Sequence, residues 1–347
     1  MHEEIKSFIR RLPKAELHLH LEGTILPATL VELSRRHDAI PLTLAEAEAF
    51  YEFSDFTGFI QGFRSVTQRL IDPEDYELIA TRMMQQLAEQ GIVHAEVYIS
   101  VGVIYKWRNH APGVVEPIIA ALENARLRAK REWGLSLYWI FDAVRHFSVE
   151  EAARVFGDAA RMRATYPSII GVGLGGDERA TGSEPYRALF AQAVQAGLRL
   201  TNHAGETTGP NAIHEALAIG SERLGHALSA IQDPELLHKL KTRQIPLELN
   251  PTSNVRTDQC ASFAAHPLRR LFDAGLLVTL NSDDPAFFKS DLAHEYLLAH
   301  NEQGFTRQEL KALATNSIRA SFLPEAEKSW FISQIESIKT RLSRSVR

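Results

Sequence analysis

Cysteine is nearly absent: Cys260 is the single one among 347 residues. That excludes an internal disulfide framework and any multi-cysteine zinc site, and it suits a reducing compartment. A surplus of positive charge is missing too. Lys and Arg number 38 against 43 Asp and Glu, a formal net charge of −5, which argues against a general nucleic-acid binder because that role needs a basic surface. There is no run of about 18 apolar residues, so the sequence offers no spanning helix and no membrane partner is expected. The opening segment MHEEIKSFIRRLPK lacks the apolar stretch and small-residue cleavage site of a secretory signal. A soluble, cytoplasmic protein is the expectation. Neither an internal repeat nor a low-complexity tract interrupts the chain.

What is there is alternation. Short apolar or β-branched runs at 15–21, 94–100, 135–144, 169–175, 198–204, 223–228, 246–250 and 276–282 read as strands, most of them bounded by Gly, Pro or Asn. Between them lie segments with helical spacing at 117–131, 149–165, 185–196, 234–242 and 267–274, four of which open at a proline, a residue suited to a first helical turn. Strand and helix in regular succession imply parallel pairing with right-handed crossovers. Eight such units close into an α/β (β/α)8 TIM barrel, taken here as a single domain over 1–347. A doubly wound sheet is the alternative, but Gly171-Val172-Gly173-Leu174-Gly175-Gly176 is not followed at once by a helix, as a dinucleotide loop would be. A long stretch between the first two strands, roughly 38–92, is expected to be a helical insertion. Its aromatics (Phe50, Tyr51, Phe53, Phe56, Phe59, Phe63) are read mostly as glue to the barrel, although insertions after barrel strands often become lids. Terminal helices should fill roughly 290–347.

In a barrel the C-terminal strand ends build the active site. The first strand ends in His18-Leu19-His20, and residues two apart on a strand point the same way. The fifth ends in His203-Ala204-Gly205-Glu206, the sixth carries His226, and the eighth runs into Ser282-Asp283-Asp284-Pro285. One histidine on an apolar strand is ordinarily a hydrogen-bonded core residue. Four of them with an Asp-Asp pair, all at strand ends, point to shared chemistry. His18, His20, His203 and Asp283 would supply three nitrogens and an oxygen, a donor set zinc accepts while leaving a position for water.

The segments Lys14-Ala15-Glu16-Leu17-His18-Leu19-His20-Leu21-Glu22-Gly23, His203-Ala204-Gly205-Glu206, Gly225-His226, Pro251-Thr252-Ser253-Asn254 and Ser282-Asp283-Asp284-Pro285 stand in the order of the adenosine deaminase family. The chain resembles that family from about Pro13 to Phe322. The resemblance implies a mononuclear zinc hydrolase, iron being the alternative ion, that removes the exocyclic amine of a 6-aminopurine. By that likeness His18, His20, His203 and Asp283 look like the metal ligands. Glu206 matches the residue that protonates the purine ring, and His226 the one that handles the attacking water's proton, with Asp283 completing the catalytic set. Asp284 matches the group that holds N7, Gly176 the glycine whose N–H meets N3, and Glu22 the residue at the ribose end. The roles make physical sense: the metal acidifies water, and protonation of N1 by Glu206 makes C6 an acceptor, which requires a carboxyl kept protonated by burial. Asp284 as a carboxylate that merely orients His226 or a ligand, and Gly176 as a turn glycine, are the plainer alternatives.

Three departures bear on the substrate. Glu22 stands where many adenosine deaminases have aspartate, Asn250 where cysteine is common, and Ala227 where glycine follows the histidine. Adenine deaminases also resemble the His20-Leu21-Glu22-Gly23 pattern. The longer carboxylate and the aromatic insertion suit relatives that deaminate 6-amino-6-deoxyfutalosine of menaquinone biosynthesis, whose benzoate calls for a cationic or aromatic subsite. Arg64, Tyr105, Lys106, Trp107 and Arg145 are candidates for it. The expected partner is therefore a small 6-aminopurine nucleoside, adenosine or aminodeoxyfutalosine, ahead of free adenine. A barrel that binds purine without turnover is the non-enzyme alternative. A binuclear site would want a bridging lysine that the fourth strand end lacks. Glu96, on the second strand, has no assigned role.

Overall fold

The computed structural model describes residues 2–111 and 113–340, so the expected helix over 341–347 lies outside the described residues. Eight strands follow one another around a single sheet: β1 (Lys14–His20), β2 (Ile92–Ile99), β3 (Ser136–Val144), β4 (Ile169–Gly175), β5 (Arg199–Ala204), β6 (Arg223–His226), β7 (Leu247–Leu249) and β8 (Val278–Leu280). Each pairs in parallel with the next. The sheet closes where His20 N donates to Asp283 O (2.9 Å) and Asp283 N to His18 O (3.1 Å). Just below, Asn281 Oδ1 accepts from Leu17 N (2.9 Å) and His18 N (3.2 Å), so a side-chain carbonyl stands in for a ladder rung. This is the (β/α)8 barrel expected from the alternation.

β6 and β8 each stop two residues short of their expected ends, and a left-handed backbone follows both. The backbone turns left-handed at His226 (φ 63°) and Ala227 (φ 50°), and again at Asp283 (φ 66°), a conformation that costs a residue with a Cβ and clusters at functional sites. The strand periodicity holds, but the turns aim these two side chains into the barrel mouth.

Every residue of β1 is buried on both faces, as parallel barrel strands are. Ala15, Leu17 and Leu19 alternate with Lys14, Glu16, His18 and His20, and the same alternation puts His94, Glu96 and Tyr98 of β2 on one face. The inside of this barrel is therefore ionic below the site. Arg223 of β6 donates to Glu248 Oε1 (2.6 Å) and pairs with Glu96, which also takes a hydrogen bond from His94 (3.1 Å). Such a buried set holds only because every charge has a partner.

Between β1 and β2 the helices Pro27–His37, Leu44–Ala49, Phe56–Thr67 and Pro73–Glu89 form the insertion. Their starts are written locally: proline opens two of them, Thr43 and Glu46 cap each other reciprocally, and Asp55 accepts from Gly58 N at 2.7 Å. Phe53, Phe59 and Phe63 pack on Phe287 and Phe288, which follow β8, so the aromatic glue joins the insertion to the last strand end. At the chain's far end, Leu292–Gln303, Arg307–Ala320 and Glu325–Ser337 are separate helices. The break at Pro324 lets Phe322 N–H reach Glu96 Oε1 (2.5 Å) and its ring lie 4.0 Å from the Arg223 guanidinium. The terminal helices thus close the floor of the barrel.

Candidate active site

The donor atoms of the expected ligands converge. Asp283 Oδ1 lies 3.4 Å from His18 Nε2 and 3.4 Å from His20 Nε2, and His203 Nε2 lies 3.3 Å from His20 Nε2. A tetrahedron with bonds of about 2.1 Å has edges of about 3.4 Å, which these three separations match; His18, His203, His226 and Asp283, and His20 with Asp283 and Asp284, are the groups here close enough to hold an ion. His18 Nδ1 is engaged by Glu248 Oε2 at 2.9 Å, leaving its Nε2 buried and without a hydrogen-bond partner. This is the carboxylate–histidine arrangement that orients a metal ligand. Although burial opposes charge on His18, the carboxylates of Asp283 beside Nε2 and Glu248 at Nδ1 raise its pKa to about 10. Gly225 permits the crowding, because a Cβ there would sit 2.6 Å from His18 Cε1.

Around this centre the acids differ in state. Glu206 is pushed well above the usual carboxylate range by burial and then by Asp283 and Glu178. Asp283, despite burial, is held low by its hydrogen bond to His18 and the neighbouring imidazoles, whereas Asp284 is driven up by burial and by the charge on Asp283. The pair splits into one anion and one neutral acid, as adjacent buried carboxyls must. Ser253 Oγ donates to Asp283 Oδ2 at 2.6 Å. His226 Nε2 stands 3.7 Å from Glu206 Oε2 and 3.9 Å from Asp283 Oδ2.

These side chains form the base of a cavity of about 580 Å³. His20, His203, Glu206, His226, Asp283, Asp284 and Gly176 line it, as do Phe56, Phe59, Phe63, Arg64, Lys106 and Trp107 nearer the insertion. At Gly176 the backbone is left-handed (φ +84°) and a Cβ would press on His146 Nδ1 at 3.1 Å, so glycine has a conformational reason there besides any ligand contact.

Three of the candidate residues are not in the cavity lining. Glu22 is buried, its Oε1 accepting from Ser100 N at 3.0 Å and its Oε2 without a hydrogen-bond partner among the described residues, and it is Ser100 that lines the cavity. Arg145 is spent on Asn202 Oδ1 (2.6 Å) and His203 O (2.7 Å), buried behind the histidine cluster. The Tyr105 hydroxyl is bonded to Asp158, and helix geometry turns it from Lys106 and Trp107.

Residues to which the sequence reading gave no role hold the site in place. Glu178 Oε1 accepts from Glu206 N (2.7 Å) and Thr207 N (3.3 Å), and its Oε2 from Gly205 N (2.8 Å) and Thr208 Oγ1 (2.6 Å). One carboxylate thereby ties down the whole turn that presents Glu206. Asn250, Asn254 and His266 lie behind His226. Asp142, on β3 and in the cavity wall, has its pKa raised to about 8 by burial.

A family model described as adenosine deaminase matches residues 13–338. An aminodeoxyfutalosine deaminase of Streptomyces avermitilis is 36% identical over 338 residues, covering 96% of this chain and 93% of that protein. The solved structure of an adenine deaminase from Arthrobacter aurescens superposes with a TM-score of 0.88 at 30% identity, over 94% of this chain and 98% of the other. An amidohydrolase from Burkholderia ambifaria, solved with bound zinc, gives 0.86 at 26% identity over 96% and 93%.

Proposed function

The chain belongs to the adenosine deaminase family, hydrolases of C–N bonds, and on that premise we propose that it deaminates a 6-aminopurine nucleoside whose sugar carries an anionic extension. Zinc, held by His18, His20, His203 and Asp283, is the proposed ion, with iron the alternative. The observation that carries the substrate reading is the shape and charge of the cavity. Its 580 Å³ falls among pockets of about 300–1000 Å³ that enclose drug-sized ligands, and a bare purine would leave most of it to water. Arg64 and Lys106 line it without a carboxylate partner among the described residues, and the Arg64 guanidinium lies 6.0 Å from the Trp107 ring centroid. Two unpaired cations beside an indole suit a carboxylate or phosphate attached beyond the ribose. Aminodeoxyfutalosine carries such a group and adenosine does not. Free adenine is the second reading, favoured by the likeness to the adenine deaminase structure and disfavoured by the volume.

In this reading Glu206, neutral because it is buried, gives its proton to N1 and draws electron density from C6. The ion would lower the pKa of water beside it, so that a nucleophile is at hand near neutral pH. His226 orients that water between Glu206 and Asp283. Asp283, anionic, takes the water's proton as the C–O bond forms, and passes it to the departing amine as the C–N bond breaks. The hydroxyl proton of the adduct restores Glu206, leaving the 6-oxo purine and ammonia. Asp284, neutral, donates to the N7 lone pair, and the Gly176 N–H faces N3.

Comparing kcat/KM for adenosine, adenine, AMP and aminodeoxyfutalosine tests the proposal. The expected result is a preference of at least about 100-fold, roughly 2.7 kcal/mol of transition-state discrimination, for an anion-bearing nucleoside over adenine. Adenine turned over as well as the nucleosides would overturn it.

A further inference from the structure

A row of hydrogen bonds leading away from the cavity determines which nitrogen of His226 carries hydrogen. It starts at Leu268, whose backbone N–H donates to His266 Nδ1 at 3.1 Å. A backbone amide has one hydrogen and no choice of direction, so Nδ1 is the acceptor. His266 is buried, and burial holds its pKa down at about 3, so the ring is neutral with its hydrogen on Nε2. That N–H faces Asn254 Oδ1 at 3.2 Å. Turning the Asn254 amide over would set N–H against N–H, so its nitrogen points the other way, 3.0 Å from His226 Nδ1. Asn250 Nδ2 lies 3.2 Å from the same atom. With the Asn254 amide donating to Nδ1, the hydrogen of the His226 ring resides on Nε2, whose neighbours in the cavity are the oxygens Glu206 Oε2 and Asp283 Oδ2 at 3.7 and 3.9 Å.

We infer that His266 and Asn254 are positioning residues that fix His226 as the Nε2–H tautomer, so that His226 donates a hydrogen bond to the attacking water and neither accepts its proton nor ligates the metal. The second consequence chooses between ligand sets. By distance alone, His226 could join His18, His203 and Asp283 around an ion; a hydrogen on its Nε2 removes it and leaves His20 as the third imidazole. The first consequence replaces the proton-handling role expected from the sequence with that of a fixed donor, and leaves Asp283 as the acceptor. The catalytic part rests on the deaminase reading, whereas the tautomer does not.

Long-range ¹H–¹⁵N correlation on zinc-loaded, ¹⁵N-histidine-labelled enzyme without substrate reads the tautomer directly, the His226 signals being assigned by their loss in His226→Gln. The expected pattern is a protonated Nε2 and an unprotonated Nδ1. In Asn254→Asp, an isosteric carboxylate demands a hydrogen on Nδ1, so the pattern inverts; kcat should fall at least about 10-fold with zinc content unchanged, since a wrong tautomer disables a catalytic histidine. His266→Gln, whose amide can still donate to Asn254 Oδ1, should keep the wild-type nitrogen pattern. Wild-type His226 protonated on Nδ1, or Asn254→Asp with an unaltered pattern or unaltered kcat, overturns the inference. The wild-type spectrum decides even if the aspartate variant fails to fold, and it decides separately from whether the wild type deaminates purines at all.

Discussion

Replacing Glu178 by glutamine removes one charge and changes the shape of the side chain hardly at all, and its effect can be worked out donor by donor. Each carboxylate oxygen takes two donors: Oε1 the amides of Glu206 and Thr207, Oε2 the amide of Gly205 and the hydroxyl of Thr208. An amide nitrogen put at Oε1 would confront two backbone N–H groups. Put at Oε2 it confronts one, because the Thr208 hydroxyl can rotate to accept. Glutamine therefore adopts the second arrangement and leaves Gly205 N–H, which is buried, without an acceptor. An unsatisfied buried donor costs about 1–3 kcal/mol, a sizeable part of a net stability of about 5–15 kcal/mol. Relaxation of that strain shifts the turn bearing Glu206, and a displacement of about 1 Å in a catalytic group costs about 100-fold. The contact between Glu206 and N1 strengthens only as N1 is protonated, so the loss should fall on kcat and spare KM. We expect kcat reduced about 10- to 100-fold, KM within about threefold, full zinc content, and an unfolding free energy lower by about 1–3 kcal/mol. Steady-state kinetics, metal analysis and urea unfolding on one preparation measure all four. A variant that loses stability but keeps wild-type kcat would show that Glu178 only holds the loop shut, and the argument from Glu206 placement would be wrong.

Glu206→Gln should retain zinc and lose most activity, whereas His203→Ala should lose the metal; comparable turnover in the glutamine variant would remove Glu206 from the acid role. Glu248→Gln takes the anion from His18 Nδ1 and should weaken zinc binding about 10- to 100-fold, read by competition with a chromogenic chelator. Glu96 is fully buried, and although burial opposes its charge, Arg223 and His94 lower its pKa from 4.5 to about 2. A folded-state pKa below the unfolded value stabilises at every pH above the unfolded value and is lost as pH falls toward the folded one. The contribution is about 3 kcal/mol, so Glu96→Gln should be less stable than wild type by about that amount at pH 6. The gap should narrow between about pH 4 and 2; a gap independent of pH in denaturant titrations would assign the loss to packing.

How much of this was legible before folding depends on how far apart the interacting residues lie along the chain. The ligands stood out because histidine and aspartate are conspicuous at the ends of apolar strands, and a strand end has a fixed address in a barrel. Even there the lengths overshot at β6 and β8, because nothing in the local sequence announces a left-handed His226 or Asp283. The inward ionic set was half visible: Glu16, Glu96, Arg223 and Glu248 interrupt strands where alternate apolar residues face the helices, a signal of an ionic interior that a single charge, taken alone, does not give. Glu178 and His266 gave no signal. A carboxylate that caps a turn almost 30 residues away is indistinguishable in sequence from a solvated one, as is a histidine in a loop. The same distance explains the errors. Arg145 is one of five candidates for a cationic or aromatic subsite, but its guanidinium points back to the carbonyl of His203, a direction set by the register between β3 and β5 through β4. Sequence proximity to a strand end assigns a residue to the correct layer of the barrel; whether it faces the cavity or braces a neighbour is decided by pairings the local pattern does not contain. Of the five residues offered from the sequence for an anion subsite, Arg64, Lys106 and Trp107 do line the cavity and Tyr105 and Arg145 brace neighbours instead, and it is that division, set by tertiary packing, that the local pattern does not contain.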